Sequence, residues 1–276
     1  MNTGSGSAGA RILDRWWAAQ SLAENSIGHW QIGPLALWIQ RFAQEWRLAV
    51  DHGGDPLDSV MVREMPSARP FPEDHPEARR FGFRKTSDKL KLMPVLADRP
   101  VVINPAIPFA LPPGEELTLY LSTAVWLQVL VGEPAVTLLE VPTHRPSDTW
   151  FGPSTREGEM CYAVKTSARQ QLENLPLRPH RVISALRIRN RARTNLAVER
   201  IKLPVPHMSI FEAAAGQLWT ESVTLEREED GEMARLQLGK KPPAAIEKTR
   251  LLSGPRVKPD KALLIRAFGG LIGGFW

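Results

Sequence analysis

The residues of this chain that could do chemistry are scattered. The six histidines (His29, His52, His75, His144, His180 and His207) show neither H-E-x-x-H nor any paired spacing that would bring two imidazoles to one metal ion. The densest group of acids and imidazole is Glu73-Asp74-His75 with Glu77, in a proline-rich stretch. As chemistry this is a cation site; as structure it is a solvated loop, and the second reading is preferred because a loose loop leaves its ligands unorganised. Cys161, beside Tyr162, is the nucleophile candidate, but nothing nearby in sequence supplies a base or a helix N-terminus, so it reads as a small core residue. The serines lie in no G-x-S-x-G elbow, and Gly4-Ser5-Gly6 and Gly269-Gly270 open no strand-turn-helix phosphate loop. No catalytic residue, metal ligand or cofactor is expected, although a site assembled from distant strands would leave no local motif.

The run Arg187-Ile188-Arg189-Asn190-Arg191-Ala192-Arg193 carries more. If one strand continues through it, Arg187, Arg189, Arg191 and Arg193 project from one face while Leu186 and Ile188 project from the other. Such a ladder suits phosphates or lipid head groups, because guanidinium forks match oxyanions. Its structural reading is a solvated sheet face balanced by acids on neighbouring strands, such as Glu199, Glu226 or Glu228, and this reading is preferred. Nucleic acid is disfavoured as a partner, since no aromatic residues interleave with the arginines to stack on bases. Of nine tryptophans, Trp30, Trp38, Trp46, Trp126 and Trp219 fall within apparent strands and read as packing. Trp150 and Trp276 fall in a loop and at the end of the sequence, and are the better interaction candidates.

The elements that must position these residues are mostly strands. Ile12, Leu13, Trp16, Trp17 and Ala19 or Ala23 have helical spacing, which predicts a short amphipathic helix within residues 1–24. Beyond Gly28 the period changes to two, most plainly at Leu117, Leu119 and Leu121 alternating with Thr118, Tyr120 and Ser122. Twenty-four prolines and repeated Gly-rich turns punctuate about a dozen short strands. The expected fold is all-β, a β-sandwich, either one extended sandwich or two in tandem. A first β-rich half is placed at 25–150 and a second at 151–239, because the hydrophobic pattern restarts after the polar stretch around Trp150. With 43% apolar and 24% charged residues the chain resembles an ordinary globular protein. A single cysteine excludes an internal disulfide framework and fits a reducing, cytoplasmic compartment.

Residues 240–276 stand apart. Of 35 basic and 30 acidic residues, eight and two lie in this arm, and the remaining 27 and 28 almost cancel. The arm leads to an apolar tail containing Leu263, Leu264, Phe268, Leu271, Ile272, Phe275 and Trp276. The tail is shorter than the ~20 residues that cross a bilayer as a helix, and its glycine pairs weaken a helix further. Three covers for this apolar surface are open: the protein's own core, a groove on a partner or second copy, and a membrane interface favoured by the preceding basic arm.

Three motifs carry a resemblance: Ile32-Gly33-Pro34-Leu35 with Trp38; Leu111-Pro112-Pro113-Gly114-Glu115-Glu116 running into Leu117 to Thr123 with Trp126; and Trp150-Phe151-Gly152. Over residues 28–239 the chain resembles a family of archaeal and bacterial proteins known chiefly as a domain of unknown function. Members are often encoded beside small mechanosensitive channels, so the resemblance implies an accessory or regulatory partner of such a channel. It assigns no catalytic residue.

The sequence therefore leads to a non-enzymatic binding or regulatory protein, with Trp150, Phe268, Leu271, Ile272, Phe275 and Trp276 as partner-binding candidates and the four arginines as anion-binding candidates. The expected partner is a protein, a membrane channel by resemblance, reached from the cytoplasm at the inner face of the membrane, with homo-oligomerisation left open. An enzyme or carbohydrate-binding module on the same scaffold, using Trp150 as a platform, is the alternative.

Overall fold

The structure is a computed structural model of the chain and describes residues 11–12, 15–56, 59–105, 107–154, 156–164, 168–258 and 263–269. The described residues are all-β. Their only helical turns are the 3-10 segments Leu172–Asn174 and Val205–His207. None of their helices is long and apolar enough to cross a membrane.

The expected N-terminal helix is not formed. Arg11–Ile12 is a short strand paired with Arg63 and Val62, Trp16 and Trp17 sit in a turn, and Ala19–Ser21 is a strand along Lys89–Val95. Tertiary contacts outweigh the helical spacing. Trp16 is fully buried, stands edge-on to Trp17 at 5.5 Å, and donates its indole N–H to Pro179 O at 2.9 Å. A helix this short is marginal in water without packing, whereas two buried indoles tie the turn down from a distance.

The chain folds into two compact units and passes between them more than once. One unit gathers residues up to Pro94 with Trp126–His144 and Arg178–His180; the other gathers Val95–Val125, Arg145–Leu177 and the residues from Arg181 onward. The hydrophobic pattern, which restarts after residue 150, does not register these crossings.

The first unit is built on two sheets, sandwich-like. Six strands run in the order Arg11–Ile12, Met61–Glu64, Ser26–Ile32, Leu35–Arg41, Glu45–Asp51, Arg79–Gly82. Four more run Val136–Pro142, Trp126–Val131, Lys89–Val95, Ala19–Ser21. Alternation supplies the core: Leu35, Leu37 and Ile39 are fully buried while Ala36, Trp38 and Gln40 are not. Ile32 pairs with Leu35 across Gly33-Pro34. Gly33 takes φ +54°, and a Cβ there would strike the buried His180 ring at 2.2 Å, so glycine is needed for both reasons.

The second unit carries the residues of functional interest. One sheet has five strands in the order Ser147–Phe151, Glu159–Val164, Val101–Ile103, Arg200–Leu203, Phe268–Gly269. A two-stranded ribbon pairs Phe109–Leu111 with Leu196–Val198. The third sheet has eight strands around Arg181–Asn190. Glu116–Ala124 pairs with almost the whole of one side of that strand, from Ala124↔Arg181 to Glu116↔Arg189. Its parallel partners Leu218–Trp219 and Val223–Arg227 therefore lie one after the other along the opposite side. Each starts a branch: one continues through Ile210–Glu212 to Arg250–Ser253, the other through Met233–Leu238 to Leu263–Arg266.

Candidate functional site

The two faces of Arg181–Asn190 differ. Val182, Ser184, Leu186, Ile188 and Asn190 point into the core and are buried. On the outer face Ile183 is covered by Leu175, Ala213 and Trp219, with Tyr120, Leu172 and Ile246 packed around them. Further along the same face Arg187 is exposed and Arg189 half-buried.

The strand stops at Asn190, so the ladder holds two arginines where four were expected. A polar hub turns the chain there. Asn190 Nδ2 donates to Leu111 O at 2.8 Å and to Thr194 O at 2.9 Å. Arg227, only 5% exposed, donates to Asn190 Oδ1, Thr194 O and Gly231 O at 3.2, 2.9 and 3.0 Å. Arg191 and Arg193 lie beyond the strand, exposed. Periodicity in sequence cannot show where a strand ends when the stop is made by side chains 37 residues apart.

Charge on the outer face is mostly balanced. Arg189 reaches Glu116 at 2.9 Å and Glu226 at 3.3 Å, its register neighbours on either side, and their hydrogen bonds raise its pKa. Arg235 reaches Glu228 at 2.9 Å. Arg187 lies between Thr118 and Thr224, and among the described residues no carboxylate pairs with it.

The basic arm is joined to the same sheet. Arg250–Ser253 extends one branch, and Arg250 forks onto Glu212 at 2.6 and 3.1 Å. Arg256 donates to Leu96 O at 2.7 Å, and the Val257 N–H to Pro206 O at 3.0 Å. Leu263–Arg266 extends the other branch, and Arg266 pairs with Glu232. Phe268 is 1% exposed, opposite Ile201 in the five-stranded sheet, and its side chain is withdrawn from solvent. The candidates Leu271, Ile272, Phe275 and Trp276 lie outside the described residues. What the docked arm presents outward is Leu251, Val257 and Leu264, with the exposed lysines Lys240, Lys241, Lys248 and Lys258, none of which has a carboxylate partner among the described residues. The arm's charge is plain in its composition but its strands are not, because their pairing partners lie 27 to 43 positions earlier in the chain.

Trp150 belongs to a strand, opposite Met160, and is half-buried. Its indole N–H donates to Ser154 O at 2.8 Å, and its own carbonyl accepts from Arg200 at 2.8 Å. Next to it Phe151 packs on Val102 and Cys161, with Arg200 and Lys202 over its ring at 5.3 and 5.7 Å. Burial, then the charge of Glu159, pushes the Cys161 thiol up to about 11, which keeps it a thiol near neutral pH. In the proline-rich loop Glu73 is bound by Arg47 at 2.8 Å, and His75 Nδ1 accepts the Glu77 N–H at 3.1 Å. Among the described residues no group of three or more His, Cys, Asp or Glu is placed to hold a metal ion.

A cleft of about 420 Å³ opens beside the Glu116–Ala124 edge, lined by Pro105, Ile107, Phe109 and Leu119 on its apolar side and by Arg169, Gln170, Gln171 and Asn174 on its polar side. Three separate stretches of chain build it, so no local motif announces it.

A family model described as a protein of unknown function (DUF432) matches residues 16–273. The chain belongs to that family. The match takes in both units and the described part of the basic arm, so the arm is part of the family's domain. No curated protein matches, and no solved structure matches.

Proposed function

We propose that this is a non-enzymatic binding or regulatory protein that docks on the anionic surface of a membrane, beside a membrane-protein partner, through the outer face of its eight-stranded sheet. One observation carries the reading. Leu264 is 67% exposed and lies in register with Arg235, which is in register with Glu226 and so with Arg189, so the exposed leucine of the arm and the arginine stripe share a face. Leu251, 56% exposed, is in register with Phe211 and Trp219 on that same face. Exposed leucines together with Arg187, which has no carboxylate partner among the described residues, and with the exposed lysines of the same arm suit an interface between apolar chains and anionic head groups, where each basic residue contributes about 1 kcal/mol. The family likeness suggests a small mechanosensitive channel as the neighbour, and a cytoplasmic position at the inner membrane face goes with it.

The test is co-sedimentation with vesicles of phosphatidylcholine, with and without phosphatidylglycerol, and with vesicles holding the reconstituted channel. Binding to the anionic vesicles is expected to fall about tenfold in Leu251→Ser/Leu264→Ser and in Lys248→Glu/Lys258→Glu, and to weaken with salt. Equal binding by wild type and both variants, or no binding to any of the vesicles, overturns the proposal.

A further inference from the structure

Glu116–Ala124 is an open edge of the eight-stranded sheet. In antiparallel pairing, residues whose N–H and C=O bond the neighbour alternate with residues whose groups face away. Tyr120 faces away: its N–H donates to Arg169 O at 2.7 Å, and its O accepts from Arg169 N at 3.0 Å. Thr118 and Glu116 direct their backbone groups to the same side. Past Arg169 the chain leaves this edge for the 3-10 turn Leu172–Asn174, so among the described residues Thr118 and Glu116 have no backbone partner there. An exposed edge of this kind is a template for one more strand.

The cleft lies beside this open stretch. Ile107, 79% exposed, lines it with Phe109 and Leu119. On its rim stands Arg169, exposed, with no carboxylate on it among the described residues. Backbone donors and acceptors at strand spacing, a cleft with one apolar wall and a guanidinium without a carboxylate among the described residues together specify a ligand. We infer that the cleft takes an extended peptide segment of another protein, added as a strand along Glu116–Thr118, with a bulky apolar side chain in the cavity and an acidic residue on Arg169. Backbone pairing supplies affinity, while the cavity and the arginine supply selectivity. This site is independent of the outer-face docking proposed above, since it needs neither the lysines nor the exposed leucines of the arm.

The probe is a dye-labelled blocked hexapeptide, Ser-Val-Leu-Val-Glu-Ser, with a counterpart carrying Lys for Glu, titrated against the full chain by fluorescence anisotropy. The acidic peptide is expected to bind at least about tenfold more tightly than the basic one, and that preference should vanish in Arg169→Ala. Ile107→Glu alters an exposed side chain and should abolish binding with the melting temperature unchanged. Thr118→Pro, at an edge position whose N–H faces outward, should do the same. In hydrogen exchange the Thr118 amide is expected to slow when the peptide is bound. Absence of binding to wild type, or equal binding by wild type and Ile107→Glu, overturns the inference. Binding that emerges only in Phe275→Ser/Trp276→Ser also overturns it, and assigns the cleft to the chain's own tail.

Discussion

Arg189 stands 2.9 Å from Glu116, its register partner on the neighbouring strand, while Arg187, two residues earlier on the same face, has Thr118 and Thr224 as its register partners and no carboxylate among the described residues. Two arginines of one sequence motif thus have different roles. Arg189→Ala should lower stability only slightly in urea unfolding, as expected for ion pairs near the surface, with little effect on vesicle binding. Arg187→Glu should leave stability within about 0.5 kcal/mol and weaken vesicle binding several-fold.

Arg227 is the buried counterpart of these surface residues. Replacing it with methionine keeps most of the volume but takes this donor from Asn190 Oδ1 and Gly231 O and leaves Thr194 O with the Asn190 amide alone. The expected cost is about 3 kcal/mol in denaturant unfolding, with faster amide exchange at residues 190–194.

Phe268 and Leu264 separate the packed side of the arm from its presented side. Phe268→Ala empties a core position and should cost about 4 kcal/mol, whereas Leu264→Ala should change stability by less than about 0.5 kcal/mol. Equal effects in thermal unfolding would show that the arm does not sit in these two sheets as described.

Glu45 lies between two guanidiniums. Hydrogen bonds from Arg80 and then Arg47 hold its carboxyl at about 2. A carboxyl depressed by folding contributes stability above its unfolded pKa that is lost as pH falls through the folded value. Titration of the Glu45 side chain by NMR should show the low value, and Arg80→Gln should move it back toward the usual carboxylate range.

His29 works at higher pH. Burial, then the charge of Arg69, lowers its pKa, against an opposing pull from Glu64, whose Oε2 lies 3.5 Å from Nδ1. The unfolded chain therefore binds this proton more readily than the folded one. The neutral ring's contribution is complete above the unfolded value of about 6.5 and is lost as pH falls below it toward the folded pKa. Unfolding midpoints measured across that range should fall with pH in wild type and vary less in His29→Gln.

Much of the fold was legible because it is written in local, period-two alternation. Leu117, Leu119 and Leu121 mark a strand whose outward positions are Thr118 and Tyr120, whatever lies beside it. The concentration of charge in residues 240–276 is likewise a property of the chain alone. Register, strand order and edges are not local. Helical spacing around Trp16 gave way to a bond with Pro179, 163 positions away, and an apparent four-arginine ladder ended at a hub reaching to Arg227. Composition left open whether the arm's apolar residues are covered by the protein's own core, a partner or a membrane interface; pairing with Ile210–Glu212, Met233–Leu238 and Arg200–Leu203 made part of it core and left Leu251 and Leu264 outside. The sequence by itself determined which residues alternate and where the excess charge lies, since both depend only on neighbours along the chain. Tertiary structure alone decided which edge stays open at Thr118, which arginine keeps an unbalanced charge and which tail residue is buried, since each depends on what distant segments bring alongside.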